Sequence, residues 1–463
     1  MNRTEQNRTE QNRTEQNRTE QNRTEQSKYL LKIIVITVFF VFAFIFTSCL
    51  DTDSDDAVDS DNVPEMQTDV DENTDSNEDN SVCVVHNWGN PEVVKAATCT
   101  ENGSKISVCL VCGDKKTEEI LAVGHDFSAE IFSSNLFIYK CSGCNNNIDL
   151  SSPIDVNSLQ KATSSSVEVY FGIFPKTVLR EDESVTVNEN EKITIGANTY
   201  YKGSDNNWYA KVLENSYSAN FWTAYIYSDG TIVKWKDEQS YRYFKVEPIK
   251  WRVLSTNYNG RALLHAAEIL TANVPCYNFN DDYTRTVGMD SSIYPTNYKY
   301  SQVRAWLNGL DYYYDTSSTQ TDRREDYKDK GFLQTAFTDA AINRIENTEV
   351  DNSVESTVCE QNPYACSNTQ DKIFLLSKKE ATAYAYFADD SSRVRKITDY
   401  AKANYAMQIT NGLVFIGGYW WLRSQDSFCR FDACYVNCDG DIGLCGVGAM
   451  NRGILPALSI AFY

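Results

Sequence analysis

Between Cys83 and Cys144 the chain places six of its 14 cysteines and two of its three histidines, and no other feature restricts its fold as tightly. The order is Cys83-x2-His86, then Cys99, Cys109-x2-Cys112-Gly113, His125, and Cys141-x2-Cys144. A C-x2-C or C-x2-H hook presents two soft ligands from one tight turn, which tetrahedral zinc requires. Eight such ligands would fill two four-coordinate sites. Six cysteines could equally form three disulfides in an oxidising compartment. The histidines favour metal, because a disulfide framework has no use for them. The expectation is a zinc-ribbon-like segment over 81–150, with structural zinc stapling a stretch too small to build its own core. Nothing in the pattern sets a general base beside an open coordination position.

The compartment follows from the N-terminus. Residues 1–26 are Met1 followed by five copies of Asn-Arg-Thr-Glu-Gln, with no large apolar side chain to offset the entropy of ordering. Within residues 27–49, Lys28 and Lys32 precede fourteen residues, 33–46, that are apolar but for one threonine. Fourteen is short for a membrane span and right for a signal-peptide core. Thr47, Ser48 and Cys49 then resemble the lipobox of bacterial lipoproteins, with Phe46 where leucine is usual. The resemblance implies lipidation at Cys49, anchoring to a membrane and an extracytoplasmic location, with exposure at the cell surface. An uncleaved N-terminal anchor is the alternative, and it leaves the remainder outside the cytoplasm as well. Residues 50–80 form an extended tether, since 51–80 carry thirteen Asp or Glu and no Lys or Arg. That run supplies much of the net charge of -21. An acidic chain without a basic patch is no nucleic-acid binder.

Residues 165–463 form the main domain, and their short-range signals predict an α+β fold rich in sheet. VEVYFGIF, YFKVEPIKWRVL and ALLHAAEIL read as strands, the last two joined by a hairpin at Asn259-Gly260. Val303, Trp306, Leu307 and Leu310 recur with helical spacing behind Ser301, a candidate N-cap. Ser377-x-x-Glu380 after DKIFLL has the spacing of a capping box. GGYWWLRS, ACYVNCDGDIG and GILPALSIAF read as three further strands near the C-terminus.

The words around the cysteines, HNWG, ATCTENG, CLVCG and VGHDF, resemble a Cys/His module repeated in bacterial surface proteins, present here in about one and a half copies. The ordered series EPIKWRVL, ALLHAAEIL, YSQVRAWLNG, DKIFLLS, YWWLRS, DG and PALSI resembles a bacterial domain family of unknown biochemical function. Its members are similar to the formylglycine-generating-enzyme branch of the C-type-lectin fold. Relatives usually read WLRSP where this chain has Gln425, a change expected to loosen the turn after Ser424. Some such lipoproteins are diversified by retroelements that rewrite adenines in codons near the gene's 3′ end. Change at both adenines of AAC yields Cys, Phe, Arg, Asp, Tyr and other residues, but never Lys, Glu, Gln, Trp or Met. Residues 426–449 contain none of those five and four cysteines.

The resemblance therefore implies a binding protein, not an enzyme, with a variable ligand-binding face over 426–452. Its contacts would be Asp426, Phe428, Arg430, Phe431, Tyr435, Asn437, Asp441, Leu444, Asn451 and Arg452, and its partner an extracellular protein or glycan. Trp420, Trp421, Leu422, Gly440, Pro456 and Leu458 are the expected scaffold. Cys429, Cys434, Cys438 and Cys445 are expected to be replaceable surface positions, unless they form two bridges. A copper-type oxidase of the formylglycine-generating kind and a structural envelope lipoprotein are the competing classes. No lectin-type calcium site is visible in the sequence.

Overall fold

Buried and exposed side chains alternate along much of Tyr241–Tyr258, and the main sheet is organised around that strand. The computed structural model describes residues 85–151, 168–214, 226–231, 241–274, 285–287, 290–314, 323–411 and 414–461. The Asn-Arg-Thr-Glu-Gln repeat, the apolar run at 33–46, Cys49, the acidic tether and Cys83 all lie outside the described residues. Among those described, no helix is long and apolar enough to cross a membrane.

Six short strands come first. β1 (Glu92–Lys95), β2 (Gly103–Val108) and β3 (Lys115–Ile120) form one antiparallel sheet. β4 (Phe127–Phe132), β5 (Phe137–Cys141) and β6 (Asn147–Asp149) form another. The main sheet follows, built from β7 (Glu168–Val178), β8 (Val187–Ile195), β9 (Asn198–Gly203), β10 (Trp208–Leu213), β11 (Tyr241–Tyr258) and β12 (Arg261–Ala266). It is completed by β13 (Ile373–Phe374) and by β17 (Ala457–Ala461), the last strand described. β11 is long enough to serve two partner sets. Its first residues pair with β10, its middle with β7 and its last third with β12, all antiparallel. β17 then pairs with β12 on one side and β13 on the other.

The turn and capping signals produce the elements they predict, but Leu310 of the helical series falls beyond the helix and is exposed. Asn259 and Gly260 take φ of 54° and 77° in the turn between β11 and β12, as a two-residue hairpin requires. Helix α1 (Gln302–Asn308) begins at Ser301, whose side chain accepts from Arg304 N, and ends at Gly309 in the left-handed region. Helix α2 (Lys378–Ala381) carries the reciprocal Ser377–Glu380 capping box. β14 (Trp420–Gln425), β15 (Asp432–Val436) and β16 (Ile442–Gly446) form a three-stranded antiparallel sheet near the C-terminus.

The expected division between 81–150 and 165–463 falls inside one compact unit, Cys83–Tyr463. Phe127, Phe137, Tyr139, Cys141 and Leu150 share a core with Ile173, Tyr200, Trp208 and Val246 of the main sheet. Tyr139 Oη donates to Val246 O at 3.0 Å. The Phe132 ring stacks on Trp208 at 5.3 Å. A three-stranded sheet with so few residues cannot enclose a core of its own, so it borrows a face of the larger one. The β1–β3 region has no such cover. Val85, Val93, Val94, Leu110, Val111, Leu121 and Val123 are all exposed.

Candidate metal centre and candidate binding face

Two copies of one local structure hold the Cys/His ligands. In each, a His-x-aromatic stretch pairs with a C-x2-C hook. Trp88 bridges Cys109 and Phe127 pairs with Cys141, while the rings of His86 and His125 stack on those same aromatics at 4.8 and 5.1 Å. Each hook closes alike. Gly113 N donates to Cys109 O at 3.0 Å and Asn145 N to Cys141 O at 2.9 Å, with φ of 77° and 58°. Left-handed backbone there explains glycine in one copy and asparagine in the other.

The ligands fall into two groups that interleave along the chain. Cys99, His125, Cys141 and Cys144 form one, their ligand atoms all within 4.8 Å of one another. His86, Cys109 and Cys112 form the second within the same limit, and Cys83 lies outside the described residues. The second hook has Ala122, not cysteine, three residues before its histidine; Cys99 supplies the ligand from the turn at 98–101. The spacing is that of a coordination shell. Cys99 Sγ and Cys141 Sγ are 3.7 Å apart, whereas a disulfide would hold them at about 2.05 Å. A tetrahedron of sulfurs about 2.3 Å from zinc has edges of about 3.8 Å. Cys112 Sγ to His86 Nδ1 is 3.4 Å and Cys144 Sγ to His125 Nδ1 is 3.5 Å. A mixed sulfur–nitrogen edge comes to about 3.5 Å. A Cβ on Gly143 would stand 2.9 Å from Cys99 Sγ, so the hook closes over the cluster only because that residue is glycine.

The electrostatics agree with the geometry. Burial raises the Cys141 thiol, yet N–H groups of Cys144 and Gly143 and the His125 ring outweigh it and bring it down to about 6. Cys109 falls to about 6 in the same way, through Cys112, Val111 and His86. Cys99 goes the other way, pushed up to about 11 by burial and by the sulfurs of Cys141 and Cys144. Three thiolates this close repel one another, and a bound dication removes the conflict. The arrangement can hold a metal ion.

The candidate face rests on a buried strand. All six residues of β14 are buried. Trp420, Trp421 and Leu422 fill the core, as do Leu458 and Pro456 behind them. Gln425 pairs with Ala433 as the last residue of that strand, and its carbonyl accepts from Asn362 Nδ2 at 3.0 Å. The strand therefore continues through Gln425, where a loosened turn is expected. The Asp439-Gly440 turn is clamped from below: Arg393 Nε donates to Gly440 O at 2.7 Å, and φ of Gly440 is 93°.

This scaffold is the part that comparison recovers. Residues 259–462 match the family described as Domain of unknown function (DUF6273). No curated protein and no solved structure matches. The DUF6273 match begins at the turn before β12 and takes in α1, α2 and the whole candidate face, leaving the Cys/His segment and β7–β11 outside it.

Within the matched residues the ten expected contact residues divide. Phe428 is 91% exposed, Leu444 is 50% exposed and Asp441 is exposed. Arg430 and Phe431 are half-buried and pair with each other, guanidinium to ring centre 5.2 Å. Arg452 lies 4.8 Å from the rings of both Tyr419 and Tyr435, with Nη1 bonded to Asn451 Oδ1 at 2.7 Å. Asn437 shapes the turn, accepting from the N–H groups of Asp439 and Asp441 at 2.9 Å. Asp426 departs from expectation. It is buried, because its carboxylate accepts from Ser427 N at 2.7 Å and Cys429 N at 3.0 Å to close the loop after β14.

The four cysteines divide too. All are free thiols; Cys429 and Cys445 are partly exposed, but Cys434 and Cys438 are buried. Burial pushes the Cys434 thiol up to about 11, so it packs as a neutral apolar group. The expected surface placement therefore fails for Cys434 and Cys438, whereas Cys429 and Cys445 are partly exposed. Cys434→Ser will cost about 1–3 kcal/mol by burying a hydroxyl, while Cys429→Ser will stay within about 0.5 kcal/mol. Denaturant midpoints of the two variants check this, and equal midpoints would show Cys434 to be exposed in solution.

Proposed function

We propose that the protein is a surface-displayed lipoprotein, anchored through Cys49, that binds an extracellular protein or glycan through the face carried by β14–β16 and the loop around Phe428. The observation that carries this reading is the contrast between the two sides of that element. A fully buried strand and the Arg393 clamp fix the backbone, while Phe428 and Leu444 stand in solvent beside Arg430, Phe431 and Tyr435. Large apolar side chains held out on a rigid support are costly for solubility and useful for binding. Aromatic and arginine side chains supply most of the energy at such surfaces.

The C-type-lectin-like reading is supported by the pairing of the last described strand, β17, with β12 at the start of the same region. Diversification by a retroelement is supported by the composition of 426–449, which lacks Lys, Glu, Gln, Trp and Met. For the Cys/His segment the metal we favour is zinc, given thiolate and imidazole donors at tetrahedral spacing. Its role is structural, fastening β1–β3, which has few buried apolar side chains, to the better-packed β4–β6.

The test joins the anchor to the face. Intact protein labelled with acyl chains is probed against arrays of extracellular proteins and glycans. Phe428→Ala with Leu444→Ala should lower array binding at least tenfold and leave the unfolding midpoint fixed. Cys49→Ser should remove the acyl label and leave binding unchanged. Binding indifferent to the double substitution would sink the face, and retained label would sink the lipid anchor.

A further inference from the structure

Behind the candidate face, two arginines and a histidine converge on one spot with no acid between them. Arg252 of β11 and His265 of β12 are direct cross-strand partners, so both side chains lie on the same side of the sheet. Arg395 approaches from the segment after residues 391–393, with Nη1 donating to Ser392 O at 2.8 Å and Val394 O at 2.9 Å. Arg252 Nη1 reaches the same Ser392 O at 3.5 Å. Aromatic rings close the spot. The Arg395 guanidinium lies 5.5 Å from the centre of Phe387, His265 is 6.1 Å from that same ring, and Trp420 is 5.3 Å from His265.

Four polar atoms in this box have no hydrogen-bond partner: Nε and Nη2 of Arg395 and both ring nitrogens of His265. Arg395 is 1% exposed and His265 0%. Burial and the two guanidiniums keep His265 neutral, so it offers one N–H and one lone pair. The nearby acids are engaged elsewhere. Asp389 bonds Ser391 and Ser392, Asp390 pairs with Arg393, and Glu268 pairs with Lys176. Among the described residues no carboxylate forms an ion pair with Arg252 or Arg395. Native interiors leave very few donors unmatched, and a buried guanidinium without a counter-charge is among the least tolerable.

We infer that this box binds a small inorganic anion of the halide class, held by Nε and Nη2 of Arg395 and one N–H of His265, with Arg252 adding the second positive charge. The Nε–Nη2 edge of a guanidinium is a fork suited to one acceptor, and the aromatic walls supply no further donors for a larger oxyanion. The anion would tie β11 and β12 to the segment whose Arg393 holds Gly440, and so steady the face from behind.

The intact chain in detergent is melted in sodium chloride, sodium bromide and sodium gluconate at matched ionic strength. The wild-type midpoint should rise by about 2–4 °C for each tenfold increase of halide above its dissociation constant, and stay flat in gluconate. Arg395→Met should abolish the rise, half-exposed Arg252→Gln should reduce it, and Arg180→Gln on the distant surface should keep it in full. Chloride NMR line broadening should follow the same order. A wild-type midpoint equal in halide and gluconate would overturn the proposal, as would an undiminished rise in Arg252→Gln. If Arg395→Met does not fold, those two comparisons still decide.

Discussion

Chelating the ion proposed for the Cys99, His125, Cys141 and Cys144 cluster will unfold β4–β6 and loosen the β8–β10 edge of the main sheet, leaving residues 259–462 folded. The expectation rests on where that cluster lies. Cys141 is the last residue of β5, buried in the core that Phe137 and Tyr139 share with Tyr200 and Trp208. In small zinc modules the binding free energy is the folding free energy, on the order of 10–16 kcal/mol, more than any single packing contact supplies. The exposed side chains of β1–β3 offer nothing comparable to replace it. Metal analysis should give two zinc per chain, falling to one in Cys141→Ser and to one in Cys112→Ser. Hydrogen exchange separates the two variants. Cys112→Ser should lose protection only near β1–β3, whereas Cys141→Ser should lose it through β4–β6 and into β9 and β10. Chelation without any change in exchange, or mass spectrometry showing the six cysteines paired, would refute the metal reading of the whole segment.

The parts of the fold legible in the sequence are those decided within a few residues. Asn259-Gly260, Ser301 before α1 and the Ser377–Glu380 box each satisfy their own backbone groups locally, so the sequence words suffice. The seven candidate ligands among the described residues are legible as a set, but not which of them belongs to which group. Their division depends on Cys99 crossing to the later hook, a tertiary choice. A signal for it exists in the repeat itself: His86-x-Trp88 and His125-x-Phe127 are equivalent, and only the first has cysteine three residues before its histidine. The fusion of 127–150 with the main sheet left no such trace, because Phe137 and Tyr139 look alike whether they pack on a partner sheet or on their own. On the candidate face, Cys434 and Cys429 are the same residue type in one short stretch. Strand β15 buries the first and a loop half-exposes the second, which composition cannot distinguish. Asp426 misled for a similar reason, since an aspartate that caps a loop and one that meets a ligand read alike until the N–H groups around it are placed.

Replacing Arg423 with methionine will cost more than any change on the exposed face, on the order of 3–5 kcal/mol. The side chain is buried between β14 and the start of α2. Its Nη1 donates to Glu380 Oε2 at 2.6 Å and Leu375 O at 2.5 Å, and its Nη2 and Nε reach Asp351 O at 3.1 and 3.3 Å. Methionine matches much of the volume and none of the bonds. Two carbonyls lose their donor, and Glu380 is left as a buried carboxylate without its cation. Burial raises the Glu380 pKa, but Arg423 outweighs it and holds the group below its ordinary value. The sign of the pH effect follows. A carboxylate depressed in the folded state adds stability at neutral pH that is lost as acid protonates it, so wild type should weaken below about pH 4. Arg423→Met should lack that part of the acid transition, because the cation that depresses Glu380 is gone and burial alone raises its pKa. Glu380→Gln should fall between the two, since the amide keeps a hydrogen bond and gives up the charge. Urea unfolding at pH 7 and pH 4 measures both effects. The same titrations on Phe428→Ala should show a loss within about 0.5 kcal/mol at either pH. Equal losses for Arg423→Met and Phe428→Ala would mean that the face and its support are not separate, and the reading of β14 as a fixed scaffold would fail with them.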